Sequence, residues 1–150
     1  MQAKFVHHRE LLRVSGLFLL LLETLLLLYA SLSYIDSFLV WMYVFIQCGL
    51  LICVSTQHTT IIQCLHILYT SMFVLIPTLA VSHYLYALHL VVIIVTFGLR
   101  SNCLGECPIN TMEHDSQKIY DEDLIDKINF NVFFASSGFL TIAKWLVLHQ

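Results

Sequence analysis

Residues 17–28 read LFLLLLETLLLL, and Glu23 and Thr24 are the only polar side chains among them. A helix that is apolar on every side is buried in a protein core or spans a membrane, because it has no face suited to water. The apolar block covers about residues 14–34, which reaches the length of about 20 residues that a helix needs to cross bilayer hydrocarbon. The stretch therefore predicts a transmembrane helix.

The same block also has features of a secretory signal peptide, since basic residues precede it and small residues follow it. They are Lys4, Arg9 and Arg13 before the block and Ala30, Ser31 and Ser33 after it. The apolar run is longer than the core of a usual signal peptide. We therefore interpret the block as the first membrane helix.

The composition of the whole chain agrees with several such helices. Of its 150 residues, 59% are hydrophobic and 11% are charged, whereas a single small soluble core buries only about two thirds of the surface that the unfolded chain exposes. Further apolar blocks cover about residues 38–54, 60–80 and 83–99, and a weaker one covers about residues 128–148. None has the alternation that a membrane barrel strand needs. We expect an all-α integral membrane helical bundle.

The expected organisation has three parts. Residues 1–100 form a bundle of four core transmembrane helices, residues 101–127 form an acidic solvent-exposed segment, and residues 128–150 form a C-terminal membrane helix. We favour a fifth crossing for this last helix, but one polar face also suits a helix that lies in the membrane interface. That face holds Ser137, Thr141 and Lys144.

The basic residues orient the predicted helices. Four crossings place the N-terminus and the segment after the fourth helix on one side, with six of the seven basic residues. The six are Lys4, Arg9, Arg13, Arg100, Lys118 and Lys127. Lys and Arg are enriched on the cytoplasmic side, so we expect the N-terminus on that side or its equivalent. We interpret five aromatic residues near the expected interfaces as membrane anchors. They are Trp41, Tyr43, Tyr84, Tyr86 and Trp145.

Polar side chains within the apolar blocks are the candidate functional residues, because an ionisable group inside a bilayer is costly. Glu23, Gln47 and His89 lie near the centres of their blocks, and we expect them to meet, with Glu23 paired to His89. Such a group forms a proton path, a polar ligand pocket or hydrogen bonds that hold helices together. His66 lies on a helix next to that of His89, so haem ligation by the two histidines is an alternative. Pro77 should kink its helix and free the carbonyl one turn earlier.

Two cysteines lie outside the apolar blocks, in Cys103-Leu-Gly-Glu-Cys107, and His114 follows them. Cysteine and histidine are ligands of tetrahedral zinc, so a zinc site is one interpretation. A disulfide is the second, and free thiols at the membrane surface are the third. We expect free thiols and no bound cofactor.

The acidic segment carries seven carboxylates and two lysines, a net charge of −7 + 2 = −5. It is a solvated loop or a docking surface for a basic partner, with Asp121, Glu122 and Asp123 as the candidate contact residues. The net charge of −3 for the whole chain argues against nucleic-acid binding. The sequence has no phosphate-binding glycine loop, no His-Glu-x-x-His and no Gly-x-Ser-x-Gly, so we expect no enzymatic activity.

Residues 100–114, RSNCLGECPINTMEH, directly follow the last core helix. Here the chain resembles small multi-pass membrane proteins of large DNA viruses, some of which have an Asn-Cys or Cys-Pro turn followed by a Thr and an acidic residue. The resemblance implies a structural or assembly protein of a virion's internal membrane, tied to a capsid by its acidic segment. We expect a non-enzymatic component of a larger membrane assembly. The alternatives are a haem- or quinone-binding or proton-handling membrane subunit, and a small transporter or channel.

Overall fold

The described part of the chain is all α-helical. The computed structural model describes residues 2–56, 59–102 and 130–148, and these ranges contain five helices and no strand. The helices are α1 (Gln2–Tyr29), α2 (Tyr34–Thr56), α3 (Thr59–Leu79), α4 (His83–Asn102) and α5 (Phe130–Leu148). Each predicted apolar block corresponds to one helix, so the all-α fold class is confirmed for this part.

Helix α1 begins and ends earlier than the sequence predicts. It begins at Gln2 instead of about residue 14, because residues 2–13 contain no Pro or Gly that would end a helix. Its 28 residues give a length of about 42 Å, against about 30 Å of bilayer hydrocarbon. The helix ends at Tyr29, and residues 30–33 turn the chain into α2.

Two helices are long and apolar enough to span a membrane by length and composition. They are α1, over Glu10–Tyr29, and α2, over Tyr34–Thr56. The apolar portions described in the other helices are shorter, at 10–17 residues: Cys64–Leu79, His83–Leu99 and Val132–Leu148. A buried helix of a soluble protein can have the same length and composition. Other features of the bundle must therefore decide whether lipid or water surrounds these helices.

Short connections make consecutive helices antiparallel neighbours. Helix α1 packs against α2 and α4, α3 packs against α2 and α4, and α5 packs against both α3 and α4. Two hydrogen bonds give the direction of α5. Ser137 Oγ donates to the Phe73 carbonyl at 2.6 Å, and Lys144 Nζ donates to the Thr78 carbonyl at 2.7 Å. Residue numbers rise together along the two helices, so α5 runs parallel to α3 along the bundle and not across it.

A buried carboxylate joins two helix connections at one end of the bundle. Ser33 caps α2, because its hydroxyl accepts from the Asp36 N–H at 3.1 Å and donates to the Asp36 carboxylate at 2.8 Å. The same carboxylate accepts from the N–H groups of Val81 and Ser82, both at 3.0 Å. Asp36 is fully buried, and these donors satisfy it. It therefore ties the start of α2 to the connection between α3 and α4.

Glycine allows α1, α2 and α3 to pack closely. A Cβ on Gly49 of α2 would lie 2.8 Å from Leu65 Cδ1 of α3. A Cβ on Gly16 of α1 would lie 3.0 Å from Leu51 Cδ2 of α2. Both positions lie against the apolar core, so larger side chains there would force neighbouring side chains to move.

Two of the five predicted membrane anchors belong to the core instead. Tyr43 and Tyr86 are buried, and their hydroxyl groups form hydrogen bonds inside the bundle. The anchor interpretation is therefore wrong for these two residues. Trp41, Tyr84 and Trp145 are exposed on the outside of the helices.

Candidate functional site

Three of the four predicted intramembrane polar residues lie inside the bundle. Glu23, Gln47 and His89 are buried on α1, α2 and α4. His66 on α3 is half-buried, and its backbone carbonyl accepts a hydrogen bond from Thr70 Oγ1 at 2.8 Å. Burial therefore distinguishes His66 from the other three.

The polar network is built on a carbonyl group that a proline leaves free. Pro77 lies inside α3 and has no N–H, so the carbonyl of Phe73, four residues earlier, has no partner in its own helix. Ser137 of α5 donates to this carbonyl at 2.6 Å. The prediction of a freed carbonyl is confirmed, and its partner sets the register of α5 against α3.

The bond to Phe73 determines the direction of the next two hydrogen bonds. The Ser137 hydroxyl has one hydrogen, and it donates that hydrogen to the Phe73 carbonyl. The Ser137 oxygen is therefore the acceptor in its bond with His89 Nε2 at 3.1 Å. A neutral His89 with its hydrogen on Nε2 has an accepting Nδ1, which receives the Tyr43 hydroxyl hydrogen at 2.7 Å. We call Tyr43, His89 and Ser137 the Tyr–His–Ser chain. It connects α2, α4 and α5 and ends on the α3 carbonyl.

Aromatic rings enclose the histidine of this chain. The His89 ring centroid lies 5.3 Å from that of Phe73 and 6.4 Å from that of Tyr43. Phe73 also contacts Phe134 of α5, with ring centroids 4.8 Å apart. His89 is fully buried, so its hydrogen bonds are screened from water and are strengthened by the apolar surroundings.

A second tyrosine makes a similar bond to α4. Thr96 Oγ1 donates to the Val92 carbonyl at 2.7 Å, so it accepts from the Tyr69 hydroxyl at 2.9 Å. The Tyr69 ring centroid lies 6.3 Å from that of Tyr43. Helices α2 and α3 thus each send one tyrosine hydroxyl to α4.

Glu23 is not satisfied in the same way. It is fully buried, and neither carboxylate oxygen has a hydrogen-bond partner among the described residues. The predicted pairing of Glu23 with His89 is wrong, because both ring nitrogens of His89 are bonded to other residues.

The geometry limits the chemistry that these residues can perform. Both nitrogens of His89 are engaged, so ligation of a haem iron would require the Tyr–His–Ser chain to break. Within the described ranges, no three His, Cys, Asp or Glu side chains are grouped to hold a metal ion. The other candidate residues lie outside those ranges. They are Cys103, Cys107 and His114 for zinc or a disulfide, and Asp121, Glu122 and Asp123 for partner binding.

Sequence reasoning did not assign Tyr43 or Ser137 to an interior network. The sequence pattern favours an anchor role for Tyr43, and it places Ser137 on one polar face of its helix. The signal for Ser137 was Pro77, because a freed carbonyl inside a bundle needs a donor. Nothing in the sequence distinguishes Tyr43 from the outward aromatic residues of α2.

No protein-family model, no curated protein and no solved structure matches this chain. Its role is therefore inferred from its own residues and their geometry.

Proposed function

We propose that this chain is an integral membrane protein with five crossings that serves, without catalysis, as a component of a larger membrane assembly. The observation that carries the proposal is the apolar character of the outward helix faces. A soluble helical bundle turns charged and polar side chains outward. This bundle turns aliphatic and aromatic side chains outward as well as inward.

Helix α2 illustrates the pattern. Phe38, Trp41, Phe45 and Ile52 are 59–65% exposed, and their spacing of three, four and seven residues places them on one helix face. The opposite face packs into the core. Hydrocarbon is the solvent that suits a helix with apolar side chains on both faces.

The other helices also expose large apolar side chains. Examples are Leu17, Leu21 and Leu28 of α1, Ile67 and Val74 of α3, Ile94 and Phe97 of α4, and Phe139, Leu140 and Val147 of α5. Soluble monomers rarely expose apolar surface on this scale. Contact with lipid, or with other membrane subunits, accounts for it.

Outward hydroxyl groups are satisfied within their own helices. Thr24 Oγ1 donates to the Leu20 carbonyl at 2.7 Å, and Thr78 Oγ1 donates to the Val74 carbonyl at 2.8 Å. A hydroxyl bonded in this way does not depend on water. This supports a lipid environment, in which every polar group must find its partner inside the protein.

The interior supports a structural role. The side-chain polar groups of the Tyr–His–Ser chain bond to one another and to a backbone carbonyl. Hydrogen bonds of this kind hold membrane helices together. Because the chain joins four helices, its first function is to fix their packing.

Contact with other subunits is assigned to the acidic segment at residues 101–127, because the connections of the core helices are too short to form a docking surface. Its net charge of −5 suits a basic partner. The internal membrane of a virion, which the resemblance of residues 100–114 implies, is one such assembly.

The number of crossings can be tested by the position of the two termini. We would replace the five native cysteines with alanine and add one cysteine at Gln2 or at Gln150. A membrane-impermeant maleimide applied to intact cells should label the cysteine at 150. It should label the cysteine at 2 only after permeabilisation, which is the internal control. Equal labelling of both termini from one side contradicts five crossings.

The docking role can be tested by neutralising part of the acidic segment. The variant is Asp121→Asn, Glu122→Gln and Asp123→Asn, and the matched control is Glu106→Gln, Glu113→Gln and Asp115→Asn. The first variant should lower the recovery of crosslinked partner subunits after mild solubilisation, and the control should lower it less. Unchanged recovery of every partner in the first variant excludes the docking role.

A further inference from the structure

Glu23 is a carboxyl group that the packing of the bundle leaves without a partner. Its side chain is 0% exposed, and no described residue donates a hydrogen bond to either oxygen. The other buried carboxylate, Asp36, accepts from Ser33, Val81 and Ser82. Asp36 therefore has hydrogen-bond donors in this fold, whereas Glu23 has none among the described residues.

Among the side chains that the structure describes, the helices packed against α1 bring no buried Lys or Arg to Glu23. Helix α1 packs against α2 and α4. The buried polar and titratable side chains of these helices are Asp36, Tyr43, Gln47 and Cys53 on α2 and Tyr86 and His89 on α4. None of them is Lys or Arg, and the two hydrogen bonds of His89 suit the neutral ring. On α1 itself, the described Arg13 is paired with Glu10 at 2.9 Å.

In these surroundings the neutral, protonated form of the carboxyl group has the lower free energy. An ionised carboxylate in apolar surroundings without a partner is costly, whereas a neutral carboxylic acid is far less so. Burial without a donor or a cation among the described residues therefore favours the protonated form of Glu23.

We infer that Glu23 is a proton-binding site inside the bundle. The proton is held by a carboxyl group of α1 that α2 and α4 enclose. When this proton leaves to water, the carboxylate is left without a hydrogen-bond donor among the described residues. Release of the proton therefore requires water or a donor to reach Glu23.

This inference goes beyond the structural role and does not depend on the number of crossings. It requires only that Glu23 is enclosed by α2 and α4, which the burial and packing of the described helices provide.

Infrared spectroscopy of the full-length protein in lipid vesicles tests the site. A protonated carboxyl group has a C=O band distinct from those of a carboxylate, and carbon-13 labelling of glutamate side chains assigns that band to glutamate. At neutral pH the labelled wild type should show one protonated glutamate. Glu23→Gln should remove the band, and the control Glu10→Gln, at an exposed position, should leave it.

The pH dependence tests whether the proton can leave. As the pH rises with the protein still folded, the band should convert into carboxylate bands. A band that stays unchanged until the protein unfolds overturns a site that binds and releases a proton.

Absence of a protonated-glutamate band at neutral pH, or its persistence in Glu23→Gln, overturns the proton site. Where Glu23→Gln fails to fold, the labelled wild type decides alone, because Glu23 is the one buried glutamate of the described helices.

Discussion

Replacing Ser137 with alanine should destabilise the bundle, because one hydroxyl serves two buried groups. Ser137 Oγ donates to the Phe73 carbonyl at 2.6 Å and accepts from His89 Nε2 at 3.1 Å. Alanine occupies nearly the same space, so the change in packing is small. The His89 N–H and the Phe73 carbonyl are then both left in the interior without this partner.

The size of the effect follows from the two lost bonds. Interhelical hydrogen bonds in a membrane protein average about 0.6 kcal/mol and reach about 1.7 kcal/mol. A buried polar group left unpaired in a soluble protein costs about 1–3 kcal/mol. We expect Ser137→Ala to lower the free energy of unfolding by about 1–3 kcal/mol. The matched control is Ser136→Ala, at an exposed position of the same helix, which should change it by less than about 0.5 kcal/mol.

Equilibrium unfolding in mixed micelles measures both variants, with a denaturing detergent as the perturbant and helical circular dichroism as the signal. The two variants differ by one position on α5, so their helix propensity and their hydrophobicity change alike. Equal free energies of unfolding for the two serine variants would refute the assigned role of Ser137.

Pro77 provides a second arm of the same experiment. Pro77→Ala restores an N–H that can bond to the Phe73 carbonyl within α3, so the carbonyl no longer depends on Ser137. In that background Ser137→Ala should cost less, by about one interhelical hydrogen bond, or about 0.6–1.7 kcal/mol. An equal cost in both backgrounds would mean that the freed carbonyl does not hold Ser137 in place.

Substitutions at three further positions, two of them with a control, probe individual contacts of the bundle. Gly49→Ala places a Cβ 2.8 Å from Leu65 Cδ1 and should lower the free energy of unfolding by about 1–3 kcal/mol. Gly98→Ala meets no atom within 4 Å and should be neutral or slightly stabilising; equal effects of the two would contradict the close approach. Asp36→Ala removes the acceptor of two backbone N–H groups and should cost about 2 kcal/mol or more, while Asp36→Asn, which keeps one acceptor oxygen, should cost less. Faster hydrogen exchange at those two amides would report the loss of these bonds. Unchanged exchange in Asp36→Ala would contradict the connection that Asp36 makes between α2 and residues 81–82. Tyr43→Phe should cost about 1 kcal/mol and change the nitrogen NMR signal of the histidine Nδ1 that it bonds; an unchanged signal contradicts that bond.

The positions of α2 to α5 could be predicted, because each of these helices is about as long as its apolar run. The second block was predicted at about residues 38–54, and α2 covers Tyr34–Thr56. The fourth was predicted to begin at His83, which is where α4 begins. The serines at the turns, Ser33 and Ser82, cap α2 and α4. These boundaries depend on local chemistry, which a sequence displays directly.

The rotation of each helix about its axis could not be predicted in the same way. In a soluble helix, the contrast between polar and apolar residues identifies the inward face. On α2 that contrast is weak, since Trp41 and Tyr43 differ by two positions and both read as membrane anchors. Trp41 lies outside and Tyr43 lies in the core. The error in pairing Glu23 with His89 has the same origin, because the depth of a residue along a helix does not say which neighbour it faces.

The free carbonyl that Pro77 leaves in α3 could be predicted, because the missing N–H is a covalent property of proline. A missing N–H leaves a carbonyl without a partner whatever the rotation of the helix, and an unpaired carbonyl in an apolar interior must find a donor. Only a side chain from another helix at the same depth can supply it, and Ser137 does so at 2.6 Å. That bond places the hydrogen of His89 on Nε2. His89 Nδ1 is then an acceptor, and the Tyr43 hydroxyl donates to it. One imino acid in α3 therefore determines the donor order of a chain of hydrogen bonds that reaches α2.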